Sequence, residues 1–247
     1  ILGDVTLLGN SSFYECTGLE NVYYASSISG DLGINNYVFY NAGTNGNGIT
    51  FTLSANACIP DRLFEPQGDK NRPKLIKLIV EEGATKVNYL NVYNTLPYLA
   101  EIELPNTITY IKKGCFDNTA WWTNQTSGAV YIGHIFYGYK GNLSSELDIS
   151  NDTVCIAFGA LEGQKPTALR IPFVGAVANG SENTHFGYIF GASSYSYNDD
   201  YVPSSLKTVI ITGGSCIGNK AFWGCSSLTE IVIPDSVTSI GVYVFEY

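Results

Sequence analysis

The stretch Ile217–Phe245 reads IGNKAFWGCSSLTEIVIPDSVTSIGVYVF and holds one phrase twice: an Ile-Gly pair whose isoleucine precedes a phenylalanine by five residues, at Ile217–Phe222 and at Ile240–Phe245. The same interval returns at Leu8–Phe13, Ile34–Phe39, Ile59–Phe64 and Ile111–Phe116. Val87–Val92 is a weaker copy, and Ile132–Phe136, Val154–Phe158 and Phe186–Phe190 are one residue shorter. These ten copies place the phenylalanine position every 20 to 32 residues along the chain. A period in that range confines the fold to a stack of similar units, because one such unit cannot bury its own apolar face.

The rest of the unit follows from the same alignment. FYECTGLENV from Phe13 matches FWGCSSLTEI from Phe222: an aromatic residue, Cys three later, Leu three later again, then a β-branched run. That run is a short strand in its clearest copies, LTEIVIP at Leu228, LAEIELP at Leu99, LKTVIIT at Leu206 and LIKLIVE at Leu75. Alternation puts Ile231 and Ile233 on one side and Val232 on the other. Proline or a small polar residue ends the strand. The glycine after Ile217 and Ile240 supplies either a positive-φ turn or room for close backbone approach.

IGNKAFWGCSSLTEIVIPDSVTSIG resembles the BspA-type leucine-rich repeat of secreted and surface proteins of bacteria and some protists. The resemblance implies a leucine-rich-repeat solenoid, mostly β. Its parallel sheet lies along the concave side, with short turns or 3-10 segments opposite, in about nine to ten irregular coils. Residues 1–247 are expected to form one such domain, a fragment of a longer secreted protein. Strands of successive coils then pair at about 4.8 Å, and the Phe of each coil turns inward. Cys16 and Cys225 are expected to point inward at a coil corner, and Cys115 takes the place of Ala221.

Composition excludes several function classes. The net charge is −9 and only 14 % of residues are charged, so no basic patch is available for nucleic acid or an anionic membrane. No apolar run approaches the about 18 residues that span a bilayer. The six cysteines include no CxxC pair and read as small buried hydrophobes. His134 and His185 lie in different copies and read as partly exposed turn residues; a Cys155–His134 pair is the one nucleophile arrangement in sight. No motif for phosphate binding, metallohydrolysis or acyl transfer is present, and the acidic residues are scattered. No enzyme activity, cofactor or metal is therefore expected.

Four segments depart from the regular unit: Tyr40–Gly48, Asp117–Gly128, Val174–His185 and Gly191–Ser204, all rich in turn formers. Two carry aromatic clusters or lead into one, Trp121 and Trp122 with Tyr137 and Tyr139 soon after, and Tyr195, Tyr197 and Tyr201. Such side chains give contact area at low entropy cost. The solvent-facing strand residues are the other candidates: Lys77; Glu101 and Glu103; Lys207 and Thr208; Thr229, Glu230 and Val232. Together they describe an adhesion or interaction module that binds a protein or glycan outside the cell. A non-catalytic targeting or spacer segment of a larger secreted enzyme is the alternative. The resemblance implies a secreted or cell-surface location and adhesion to host, matrix or microbial partners.

Overall fold

The computed structural model describes residues 1, 8–25, 37–55, 63–64, 72–87 and 96–246. Ile34, Cys58, Ile59 and Val92 of the sequence pattern lie outside them. The chain divides into two compact units, one of Ile1–Ile108 and Gly114–Gln125, the other of Thr109–Lys113 and Thr126–Tyr247.

In the first unit the strands Asn21–Tyr24, Ile49–Leu53, Leu75–Val80 and Glu101–Glu103 pair in that order, all parallel. Alternation sorts their side chains into rows across the sheet. Val22, Phe51, Leu78 and Ile102 form an inner row. Asn21, Thr50, Lys77 and Glu101 form one outer row, and Tyr23, Thr52, Ile79 and Glu103 another. The lead leucines Leu75 and Leu99 are buried, as the repeat requires. Behind the strands the phenylalanines stack in file: Phe13 on Phe39 at 5.0 Å and 5°, and Phe39 on Phe64 at 5.7 Å. Phe39 and Phe64 are buried and Phe13 half-buried, so burial, worth roughly 1.5–3 kcal/mol per large apolar side chain, is a property of the stack.

The second unit repeats the plan. Glu146–Asp148, Ala168–Ile171, Thr208–Ile211 and Glu230–Val232 make a four-stranded parallel sheet with Leu147, Leu169, Val209 and Ile231 as the inner row. Its rings stack as Phe186 on Phe222 at 4.8 Å and Phe222 on Phe245 at 5.8 Å. Phe186, and not Phe190 as the spacing suggests, lies next to Phe222. Residues 186–190 form a 3-10 helix that buries both rings. Another departure is an antiparallel hairpin, Gly128–Ile132 with Ile135–Lys140, whose second strand pairs in parallel with Cys155–Ile156.

The chain makes about seven turns, fewer than the nine to ten coils expected. Two of the shorter copies contribute to the difference. Ile132–Phe136 straddles the hairpin turn, and Phe186–Phe190 is the 3-10 helix. Tyr40–Gly48 also departs from expectation, because it stays within its coil. The Gly43 and Asn45 amides donate to the Cys16 and Thr17 carbonyls of the coil before, at 3.1 and 2.9 Å.

The coil turns by a device the sequence does not display. Two positions before the phenylalanine, Ser11, Tyr37, Gly114, Lys220 and Tyr243 all have φ between 56° and 101°. Two positions after it, Glu15, Asn41, Asn118 and Gly224 have φ between 52° and 72°. A left-handed residue on each side reverses the chain twice and swings the ring between them inward. The glycine of Ile-Gly has the other role left open by the sequence. A Cβ on Gly241 would stand 2.6 Å from the Asn219 nitrogen and 2.8 Å from its Cα, so this glycine permits close approach of adjacent coils. The two roles separate experimentally. A Cβ on Gly114 meets nothing within 4 Å, so Gly114→Ala is expected to cost only the left-handed penalty of about 1–2 kcal/mol, read as a lowered thermal midpoint. A loss near zero would contradict the corner geometry.

Candidate recognition surface

The outer strand rows are built from polar and β-branched side chains that the core does not use. In the first unit the Lys77 ammonium lies between two carboxylates, 3.2 Å from Glu101 and 2.5 Å from Glu103. Hydrogen bonding to Glu103 and then Glu101 raises its pKa above the usual lysine value. Tyr23 Oη donates to Glu81 at 3.0 Å on the same sheet. In the second unit Glu146, Ala168, Thr208 and Glu230 form one outer row, and Asp148, Arg170, Ile210 and Val232 the next. Arg170 pairs with Asp148 at 3.4 Å, and Thr208 donates to Glu230 at 3.2 Å. Lys207 donates to the Ser227 carbonyl at 3.1 Å, and the Thr229 hydroxyl donates to the Lys207 carbonyl at 3.2 Å. The strand candidates of each unit thus come together on one face.

The aromatic candidates separate. Trp121 is buried on the short helix Ala120–Thr123, edge-on to Phe116 at 6.1 Å. Its helix starts at Thr119, whose hydroxyl accepts the Trp122 N–H at 3.1 Å. Trp122 is half-buried beside it. Tyr137 is fully buried and Tyr139 half-buried on the hairpin strand Ile135–Lys140. Tyr195, Tyr197 and Tyr201 remain exposed, on a 3-10 turn and the short helix Asn198–Tyr201.

Two asparagines anchor the excursions to the next coil. Asn179 Oδ1 accepts the Ser215 and Cys216 N–H groups at 2.8 and 3.2 Å. Asn198, with no exposed surface, accepts the Gly187 N–H at 2.9 Å and donates to the Ala221 and Trp223 carbonyls at 3.2 and 2.9 Å. The anchored excursion lays Tyr195 edge-on to Trp223, centroids 5.8 Å apart. Lys220, Trp223 and Tyr243 were absent from the candidates read in sequence, because they fill variable slots of the clearest repeat. No signal in the sequence marks them, since the left-handed corner at Lys220 and Tyr243 shows only in the structure.

His134 is exposed, but His185 is buried, contrary to the turn position expected. Its Nε2 lies 2.8 Å from the Ala192 carbonyl, an acceptor, which requires the proton on Nε2. Burial lowers the His185 pKa, partly opposed by that hydrogen bond. The neutral ring is thus favoured by folding, and its contribution is complete above the ordinary value of 6.5 and lost as pH falls through the depressed one. The wild type is expected to lose thermal stability relative to His185→Gln as pH drops below 6.5; parallel curves would contradict this.

Burial pushes the Cys155 thiol up to about 12, which keeps it protonated and weakly nucleophilic at neutral pH. Cys225, expected to point inward, is partly buried, and burial likewise pushes its thiol up to about 12. Cys16 is exposed instead of inward-facing; its carbonyl makes the turn contacts, accepting from Leu19 and Gly43 at 3.0 and 3.1 Å. The described cysteines 16, 115, 155, 216 and 225 are free, and no metal-ligand cluster occurs among the described residues. No helix among them is long and apolar enough to cross a membrane.

Parallel strands led by leucine, one per coil, with a file of inward phenylalanines, define a leucine-rich-repeat protein. The profile of the BspA type leucine rich repeat region matches residues 1–120 and 196–247 in six copies, and the chain belongs to that family. The unmatched stretch contains the hairpin and the shortened copies. Among solved structures, a leucine-rich repeat protein from Bacteroides ovatus is similar at 16 % identity over 98 % of this chain and 68 % of that one, with a TM-score of 0.30. No curated protein matches the sequence.

Proposed function

We propose that the chain is an extracellular or cell-surface recognition module that binds a protein or glycan through its outer strand rows and its aromatic excursions. The observation that carries this reading is the pair of outer rows on each sheet. Eight registered positions in the first unit and eight in the second hold side chains that leave the core unchanged. A stack of coils fixes their spacing, so the face is preorganised for a ligand. Membership of the BspA-type family supports a location outside the cell and an adhesive role.

The test is an array of extracellular-matrix proteins and glycans, probed with the full chain and with two strand-face variants, Lys77→Ala/Glu101→Ala and Thr208→Ala/Ile210→Lys. The expected result is a hit that weakens at least tenfold in one of these. A hit that both strand-face variants retain would remove the strand face from the account.

A further inference from the structure

One cluster combines order, exposure and a cation held on an aromatic ring. The Lys220 ammonium donates to Tyr195 Oη at 2.9 Å and lies 4.3 Å from the centre of the same ring. Trp223 supports that ring edge-on. Asn198, three residues after Tyr195, ties the excursion to the carbonyls of Ala221 and Trp223, so the rings are held in place before any ligand arrives. One coil further, Tyr243 occupies the position of Lys220, both residues at φ 56°, and the Lys220 N–H donates to the Val242 carbonyl at 2.9 Å. Tyr195 and Tyr243 are 36 % and 60 % exposed.

The charges of Lys77 and Arg170 are met by carboxylates on the strand faces, whereas Lys220 meets a tyrosine ring and its hydroxyl, with no carboxylate in ion-pair contact among the described residues.

We propose that Tyr195, Lys220, Trp223 and Tyr243 form a binding site for an acidic saccharide. The aromatic rings pack against the C–H face of a pyranose, the tyrosine hydroxyls bond to sugar hydroxyls, and Lys220 meets the carboxylate of a uronic or sialic acid unit. Tyr195 and Tyr243, of about 150–250 Å² each and exposed to the extents given, together offer roughly 150–250 Å² of ring surface, enough for one or two sugar rings. The net charge of −9 opposes densely sulfated polymers and favours a singly charged unit.

This inference rests on the recognition reading but on residues separate from the strand face, so the two can fail independently. The full chain is titrated with trigalacturonate and sialyllactose as acidic probes, and with maltotriose and lactose as neutral ones, followed by calorimetry and tryptophan fluorescence. The expected result is saturable binding of at least one acidic probe, at least tenfold tighter than its neutral counterpart. Lys220→Gln and Tyr243→Ala each weaken it tenfold or more, and Thr208→Ala/Ile210→Lys leaves it unchanged. Tyr243 is exposed enough that its variant keeps the wild-type melting temperature, which separates lost binding from lost folding. Absence of saturable binding, equal affinity for acidic and neutral probes, undiminished binding by the Tyr243 variant, or loss in the strand-face variant would overturn the proposal.

Discussion

Phe222→Ala is expected to destabilise the protein by about 3–5 kcal/mol, the range for deleting a buried aromatic ring, measured by urea unfolding. The ring is 2 % exposed and stacks between Phe186 and Phe245. Its removal opens a void that backbone pairing keeps from collapsing, because the Phe222 N–H donates to the Val244 carbonyl at 3.0 Å and the Phe186 N–H to the Ala221 carbonyl at 2.7 Å. Phe245→Ala provides the contrast. That ring is 52 % exposed and has a described ring neighbour on one side, so its loss is expected to cost less than half as much. Equal losses at the two positions would mean that stacking between coils does not set the stability.

The second large effect is expected at Asn198. Truncation to alanine leaves the Gly187 N–H without its acceptor and the Trp223 carbonyl without its donor, while the Ala221 carbonyl keeps the Phe186 N–H. Each group so orphaned costs about 1–3 kcal/mol where it is buried, giving a loss of about 2 kcal/mol or more, the Trp223 carbonyl being part-buried. Asn198→Asp is expected to do no better, since its second oxygen faces two carbonyls and a buried charge is added. Unfolding followed by tryptophan fluorescence checks both. A loss below about 1 kcal/mol in Asn198→Ala would show that the excursion is held by other contacts.

What the sequence makes legible is whatever the side chains state directly. Leucine at Leu75, Leu99 and Leu206 and the alternation of TVII and EIV are sufficient for strand position, face and parallel pairing. The corner conformation is hidden because it falls on Ser11, Tyr37, Lys220 and Glu15, residues that share no propensity for positive φ. Stacking imposes it, not the local sequence. The excess copies arise because, in a chain 45 % apolar, an apolar residue four positions before a phenylalanine occurs without a coil, as in the hairpin at Ile132–Phe136.

The candidate site was legible in its strand-face half, where register follows from alternation. It was illegible for the aromatics, because exposure depends on which residues the excursions fold against. Trp121 and Tyr137 turn into the core, while Tyr195 is held out over Trp223. Asn198 was equally hidden, one asparagine among many, marked only by what it bonds to.

The most direct measurement is the set of ring-to-ring nuclear Overhauser effects in phenylalanine-labelled protein. Cross-peaks are expected between Phe13 and Phe39, between Phe186 and Phe222, and between Phe222 and Phe245, whose centroids lie 5.0, 4.8 and 5.8 Å apart. Assigned spectra in which Phe222 shows contacts to neither Phe186 nor Phe245 would contradict the stacked-coil arrangement on which both surfaces depend.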